Sequence, residues 1–150
     1  MKKIVALIII CGSMIGSNAV FAQDIAGIWQ HIDDKSGNPQ ATIEIRKESN
    51  NTYSGTVINL IKRPGYSPPP NCVNCPAPYT NKPILGMTVL KGLKNVEGSS
   101  RYNQGRVIDP LNGQIYDAKM KLNPSGKRLS LRAYMGASIL GRSQTWVRIQ

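Results

Sequence analysis

GRVIDPLNGQIYDAKMKLNPSGKRLSLRAYMGASILGRSQTWVR, from Gly105 to Arg148, is the stretch whose reading decides the fold. Asp109-Pro110-Leu111-Asn112-Gly113 and Asn123-Pro124-Ser125-Gly126 interrupt it, and a third break runs from Gly136 to Gly141. Proline presets φ, while Asn and Gly accept positive φ, so the first two breaks are hairpin turns. Between them Tyr116, Ala118, Met120 and Leu122 alternate with Ile115, Asp117, Lys119 and Lys121. After the second turn Leu129, Leu131 and Ala133 alternate with Arg128, Ser130 and Arg132. Period-two alternation describes strands with one buried and one wet face. The stretch is therefore an antiparallel meander, expected to form one side of a barrel.

The strands upstream are read as 25–32, 41–47, 53–61, 84–91 and 101–109. With 115–122, the strand after Asn123-Pro124 and a last strand over 142–149, the count is eight, with no helix and no internal repeat. The fold class is all-β, an eight-stranded antiparallel up-and-down barrel. Residues 62–83 stand apart: they hold seven of the ten prolines. Proline removes ladder donors, so this is a long functional or linker-like loop.

Residues 1–22 read as a signal peptide. Lys2 and Lys3 precede an apolar run from Ile4 to Ile10, and Val20-Phe21-Ala22 supplies small residues where a signal peptidase reads. A single domain, 23–150, is expected outside the cytoplasm, in the periplasm or secreted. No later run approaches the roughly 20 apolar residues of a membrane helix. The formal net charge is +11, of which the leader's two lysines form part. The remaining cations are scattered and form no run, which describes a solvated basic surface. If they recognise anything outside the cytoplasm, it is anionic lipid, lipopolysaccharide or glycan carboxylate rather than nucleic acid.

With Cys11 in the leader, Cys72 and Cys75 are the cysteines left. A local disulfide stapling the loop is the first reading in an oxidising compartment. A redox pair fits the spacing but lacks a following helix to lower a thiol pKa. A zinc site would need more ligands than the single histidine, His31, supplies. The adjacent Asp33 and Asp34 suggest acid–base work, yet neighbours on an extended chain point to opposite sides, and turn aspartates bond local amides. No nucleophile–base pair, metal cluster or phosphate loop is visible, so no catalytic residue, metal or cofactor is assigned.

Gly27-Ile28-Trp29 opening eight up-and-down strands resembles the calycin superfamily, the lipocalin-like barrels. The resemblance implies that Trp29 plugs one barrel end and that a basic residue of the last strand, Arg148, lies across it. Gly27-Ile28-Trp29, Pro83-Ile84-Leu85-Gly86, Asp109-Pro110-Leu111-Asn112-Gly113 with Tyr116, and Gly136 followed by Gly141-Arg142-Ser143-Gln144-Thr145-Trp146-Val147-Arg148 resemble the DUF2147 family of exported bacterial proteins of unknown function. That resemblance implies one exported barrel and transfers no chemistry. The chain lacks the C-terminal helix of secreted lipocalins and the helical lid of fatty-acid-binding proteins.

Eight-stranded barrels are filled by side chains or hold one small ligand. The first expectation is a non-catalytic, monomeric container for a small apolar or acidic ligand. Tyr116, Met120, Leu129 and Leu131 would line it, Arg132 or Arg142 would meet an acidic headgroup, and the Pro-rich loop and Ile139-Leu140 would edge the mouth. His31 shares strand parity with Trp29 and is either a ligand anchor or a satisfied histidine. The second expectation is an interaction module, like the periplasmic lysozyme inhibitors, meeting an envelope protein or glycan through Tyr66 and Tyr79 of the loop. An enzyme of unknown reaction is the third.

Overall fold

The computed structural model describes residues 23–137 and 139–150; residues 1–22, read from the sequence as a signal peptide, lie outside them. Eight strands follow one another: β1 (Gly27–Ile32), β2 (Pro39–Lys47), β3 (Thr52–Leu60), β4 (Thr88–Asn95), β5 (Arg101–Ile108), β6 (Ile115–Leu122), β7 (Arg128–Tyr134) and β8 (Gly141–Arg148). Each pairs antiparallel with its sequence neighbours, and β1 pairs with β8, so the sheet closes into a barrel and leaves no unpaired edge. The alternation in the last three strands translates directly into facing. On β6, Ala118, Met120 and Leu122 are buried, and on β7 Leu129, Leu131 and Ala133 are buried, while Lys121, Arg128 and Ser130 are exposed.

The fourth strand differs from its expected span. It starts at Thr88 rather than at residue 84, because Ile84–Met87 turns back on itself: Met87 N–H donates to Ile84 O at 3.0 Å, and Gly86 has φ +86°. It then runs on through Gly92 to Asn95.

One barrel end is closed. Trp29 is fully buried there, and its Nε1 donates to Ile25 O at 2.8 Å, which holds the incoming chain across the opening. Trp29 and Arg148 are register partners on the seam between β1 and β8, and the guanidinium stands 4.3 Å from the indole centroid. Its Nη1 donates to Ala26 O at 2.9 Å, its Nη2 to Asp24 O, and its Nε to Gly126 O at 2.8 Å. A planar five-donor fork suits this work, since it can stack on the ring and bind carbonyls from two chain segments together. Gly27 makes the approach possible: a Cβ there would sit 2.5 Å from Arg148 Nη1, and φ is +143°. Tyr53 and Tyr102 complete the plug, edge to face at 5.2 Å, with Tyr53 Oη donating to Asp24 Oδ2 at 3.0 Å. Burial, reinforced by Asp24, pushes both phenol pKa values upward.

Candidate functional site: the open half of the barrel

The other end is open. A cavity of about 200 Å³ descends into the lumen from the mouth. Its walls are Ile43, Val57, Val89, Val107, Leu131 and Trp146, side chains that period-two alternation turns inward from six different strands. Polar groups line it as well: His31 and Asp33 at the end of β1, Gln40 on β2, Asp109 after β5, Tyr116 on β6, and Arg142 and Gln144 on β8.

His31 is register partner to Trp146 across the closing seam, and the two rings lie 6.2 Å apart at 49°. Burial lowers the imidazole pKa below its ordinary value, against the opposing pull of Asp33, Asp109 and Asp34. Asp33 is occupied by its turn: its Oδ2 accepts from Ser36 N–H at 2.9 Å and from Ser36 Oγ at 2.6 Å, and these bonds lower its pKa. Asp109 Oδ1 likewise accepts from Leu111 N–H at 2.9 Å. Asp34 pairs with Arg142 at 3.5 Å on the surface. The adjacent carboxylates that follow β1 thus cap a turn and meet an arginine.

The Pro-rich loop forms one side of the mouth. Tyr66, the buried Pro68 and Ile84 line the cavity, and Arg63 stacks on Tyr66 at 4.3 Å. The loop is tied down by its own backbone, with Cys72 N–H donating to Lys82 O and Ile84 N–H to Pro70 O, each at 2.9 Å. Cys72 and Cys75 are disulfide-bonded, with Cα atoms 5.4 Å apart, and both are buried against the carbonyl of Pro110 in the β5–β6 turn. The staple therefore packs as core, where the sequence describes only a local disulfide within a long loop. Closing so short a loop removes about 2 kcal/mol of unfolded-chain entropy. Replacing both cysteines with Ala, which deletes buried sulfur as well, should lower stability by at least ~2 kcal/mol. Urea denaturation of the variant beside the oxidised parent measures this, and unchanged midpoints would show that the staple contributes nothing.

The structure separates the residues expected to line a ligand. His31, Tyr116, Leu131 and Arg142 come together at the cavity. Met120 and Leu129 share the inward parity and are buried, but neither lines this cavity: Met120 is in register with Tyr102 and Leu131, and Leu129 with Leu122 and Trp146. Both therefore leave the lining set. Arg132 leaves it too, because it has the outward parity of β7: its guanidinium bonds Ser143 Oγ at 3.2 Å and Ile139 O at 3.0 Å on the barrel exterior. Ile139 and Leu140 are exposed in the β7–β8 turn beside the mouth and do not reach the cavity wall. Tyr79 packs against the core with Lys91 over its ring at 5.3 Å, whereas Tyr66 stands at the mouth.

Ile43, Val57, Val89, Val107 and Trp146 are wall residues that sequence reasoning did not single out for the lining, and Trp146 is the aromatic one. Its signal is parity, since it lies two residues before Arg148 and four after Arg142 on the inward face of β8. Among the described residues no group of three or more His, Cys, Asp or Glu side chains stands where it could hold a metal ion, and no helix is long and apolar enough to cross a membrane.

A solved structure with the same fold is "Protein HP1028 from the human pathogen Helicobacter pylori belongs to the lipocalin family", at a TM-score of 0.71 and 20% identity over 86% of this chain and 85% of that one. No curated protein matches the chain. Residues 27–148, from the glycine beneath Arg148 to Arg148 itself, match the family described as "Uncharacterized protein conserved in bacteria (DUF2147)", and the chain belongs to that family.

Proposed function

We propose that this protein is an exported, non-catalytic barrel that holds one small, mainly apolar ligand in the open half of its lumen. The observation that carries the reading is the cavity: one end of the barrel is sealed by Trp29 and Arg148, and the other keeps about 200 Å³ bounded by aliphatic side chains and Trp146. A wholly apolar cavity of roughly 150 Å³ already binds benzene in a protein interior. The lipocalin-like fold of the Helicobacter pylori protein is compatible with the same use. The apolar leader and the Cys72–Cys75 disulfide support an oxidising, periplasmic setting.

Titration of the protein with ethylbenzene by calorimetry tests the reading. Saturable binding with negative ΔCp is expected. Ala133→Phe, which places a ring in the lined space, should weaken binding at least tenfold while leaving the barrel folded. Absence of saturable binding, together with no small molecule in native mass spectra of the purified protein, would end the container reading.

A second reading, a partner docking at the mouth, has one observation in its favour. Val73, Leu85, Leu111, Met135, Ile139 and Leu140, six large apolar side chains left exposed, all belong to loops at the open end. A protein partner on that rim would cover them.

A further inference from the structure

Cations that stand apart in the sequence are gathered by the register of the barrel. β4, β5, β6 and β7 carry two Lys or Arg residues each, none of them buried. Between them these strands hold one acid, Asp117, which pairs with Arg106 at 3.9 Å. Arg101 is register partner to Lys121 across β5 and β6, and Lys119 to Arg132 across β6 and β7. Lys119 and Lys121 stand two residues apart on β6, so the two pairs share the outer face about 7 Å from each other. All four cations line one hollow of the outer wall with Ser130 and Ser143, and no carboxylate is among the described residues around it. Like charges directly opposite each other destabilise a sheet face. The cation of β2, four strands away, is placed differently: Arg46 has Glu44 beside it at 2.9 Å.

Apolar side chains adjoin this basic wall. The β7–β8 turn leaves Ile139 81% and Leu140 71% exposed. Arg132 ties that tip to the cations, since its Nη2 donates to Ile139 O at 3.0 Å. A soluble polyanion would satisfy the cations and leave the tip in water. An anionic lipid leaflet meets both at once, with headgroups for the cations and the acyl boundary for the apolar side chains.

We propose that the outer wall of β5–β7, with the tip at Ile139 and Leu140, docks this protein on an anionic lipid surface. Arg101, Lys119, Lys121 and Arg132 meet the lipid phosphates, and the two apolar side chains enter the acyl boundary. Docking is independent of what the lumen holds. Because the β7–β8 turn lies beside the mouth, the docked barrel opens next to the lipid.

Cosedimentation with vesicles of mixed phosphatidylglycerol and phosphatidylcholine, beside vesicles of phosphatidylcholine alone, tests the proposal. Binding to the anionic vesicles is expected, weakening at least about tenfold between about 0.05 M and about 0.5 M salt. Arg101→Gln with Lys121→Gln removes a repelling pair and should keep the barrel folded, yet lower vesicle affinity roughly tenfold to thirtyfold. Arg46→Gln with Lys47→Gln takes the same charge from β2 and should leave affinity within about threefold. Ile139→Ser with Leu140→Ser keeps every charge and should weaken binding about tenfold. Leu140→Trp should shift its fluorescence to the blue on anionic vesicles and not on neutral ones. An equal loss in the β2 variant, or equal binding to both kinds of vesicle, would overturn the basic wall as the site. Undiminished binding by the serine variant, or tighter binding of soluble polygalacturonate than of anionic vesicles, would overturn the lipid surface as its partner. Should Arg101→Gln with Lys121→Gln not fold, the Leu140→Trp fluorescence decides alone.

Discussion

Replacing Trp29 with Ala should destabilise the barrel by about 3–5 kcal/mol, the range for deleting a large buried aromatic ring. Three losses coincide at that position. The ring is fully buried, its Nε1 no longer holds Ile25 O, and the Arg148 guanidinium loses the face it stacks on at 4.3 Å. What remains is an arginine half-buried over a void, its donors still on the carbonyls of residues 24, 26 and 126. Removing one partner of a buried polar arrangement is more damaging than never having built it. Because the pair lies on the seam between β1 and β8, the loss should fall on barrel closure. Amide exchange along β1 and β8 should rise most, alongside a lower urea midpoint. An unfolding free energy within about 1 kcal/mol of the parent's would show that the plug is dispensable.

The plug is also where sequence and structure agree most fully, and the reason is physical. Period-two alternation tells which face of a strand a side chain takes, and turn chemistry tells where strands end. Together they put His31 on the same face as Trp29 and Leu131 on the buried face of β7, and this is the facing found; Arg132, offered with Arg142 as a headgroup partner, turns outward. Facing says nothing of height along the barrel axis, which strand tilt and stagger decide. Met120 and Leu129 have the parity of cavity residues and the height of packed core, and no local pattern distinguishes the two. The His31–Trp146 contact forms across the seam joining the first strand to the last, so no neighbouring sequence encodes it. The Pro-rich loop is less legible still. Without periodicity its course is set by what it docks on, and the docking surface, the turn at Asp109–Gly113, lies far along the chain.

That docking hangs on a second glycine. Gly113 has φ +75° and closes the β5–β6 turn by donating its N–H to Asp109 O at 2.8 Å. A Cβ placed on it would lie 1.8 Å from Asn74 O and 3.1 Å from Cys75 Cα. The obstacle is backbone inside the disulfide-bonded loop, so no side-chain rotation relieves it. Gly113→Ala combines a left-handed conformation, costing about 1–2 kcal/mol for an L-residue, with overpacking of about 1–3 kcal/mol. A total loss of about 2–5 kcal/mol is expected if the loop stays docked. If the loop lifts instead, global stability falls less, and the buried disulfide becomes reachable by reductant. Either outcome distinguishes the position from Gly37, where φ is +69° but a Cβ would meet nothing within 4 Å. Gly37→Ala bears the conformational cost alone and serves as the matched control. The loop also supplies Tyr66, Pro68 and Ile84 to the cavity wall. Gly113→Ala should therefore weaken ethylbenzene binding together with stability, whereas Gly37→Ala should leave binding unchanged. Urea midpoints, rates of disulfide reduction and calorimetric titration of both variants form the measurement. Equal stability losses in the two, with the disulfide equally protected, would show that the contact between Gly113 and Asn74 does not hold the loop in place.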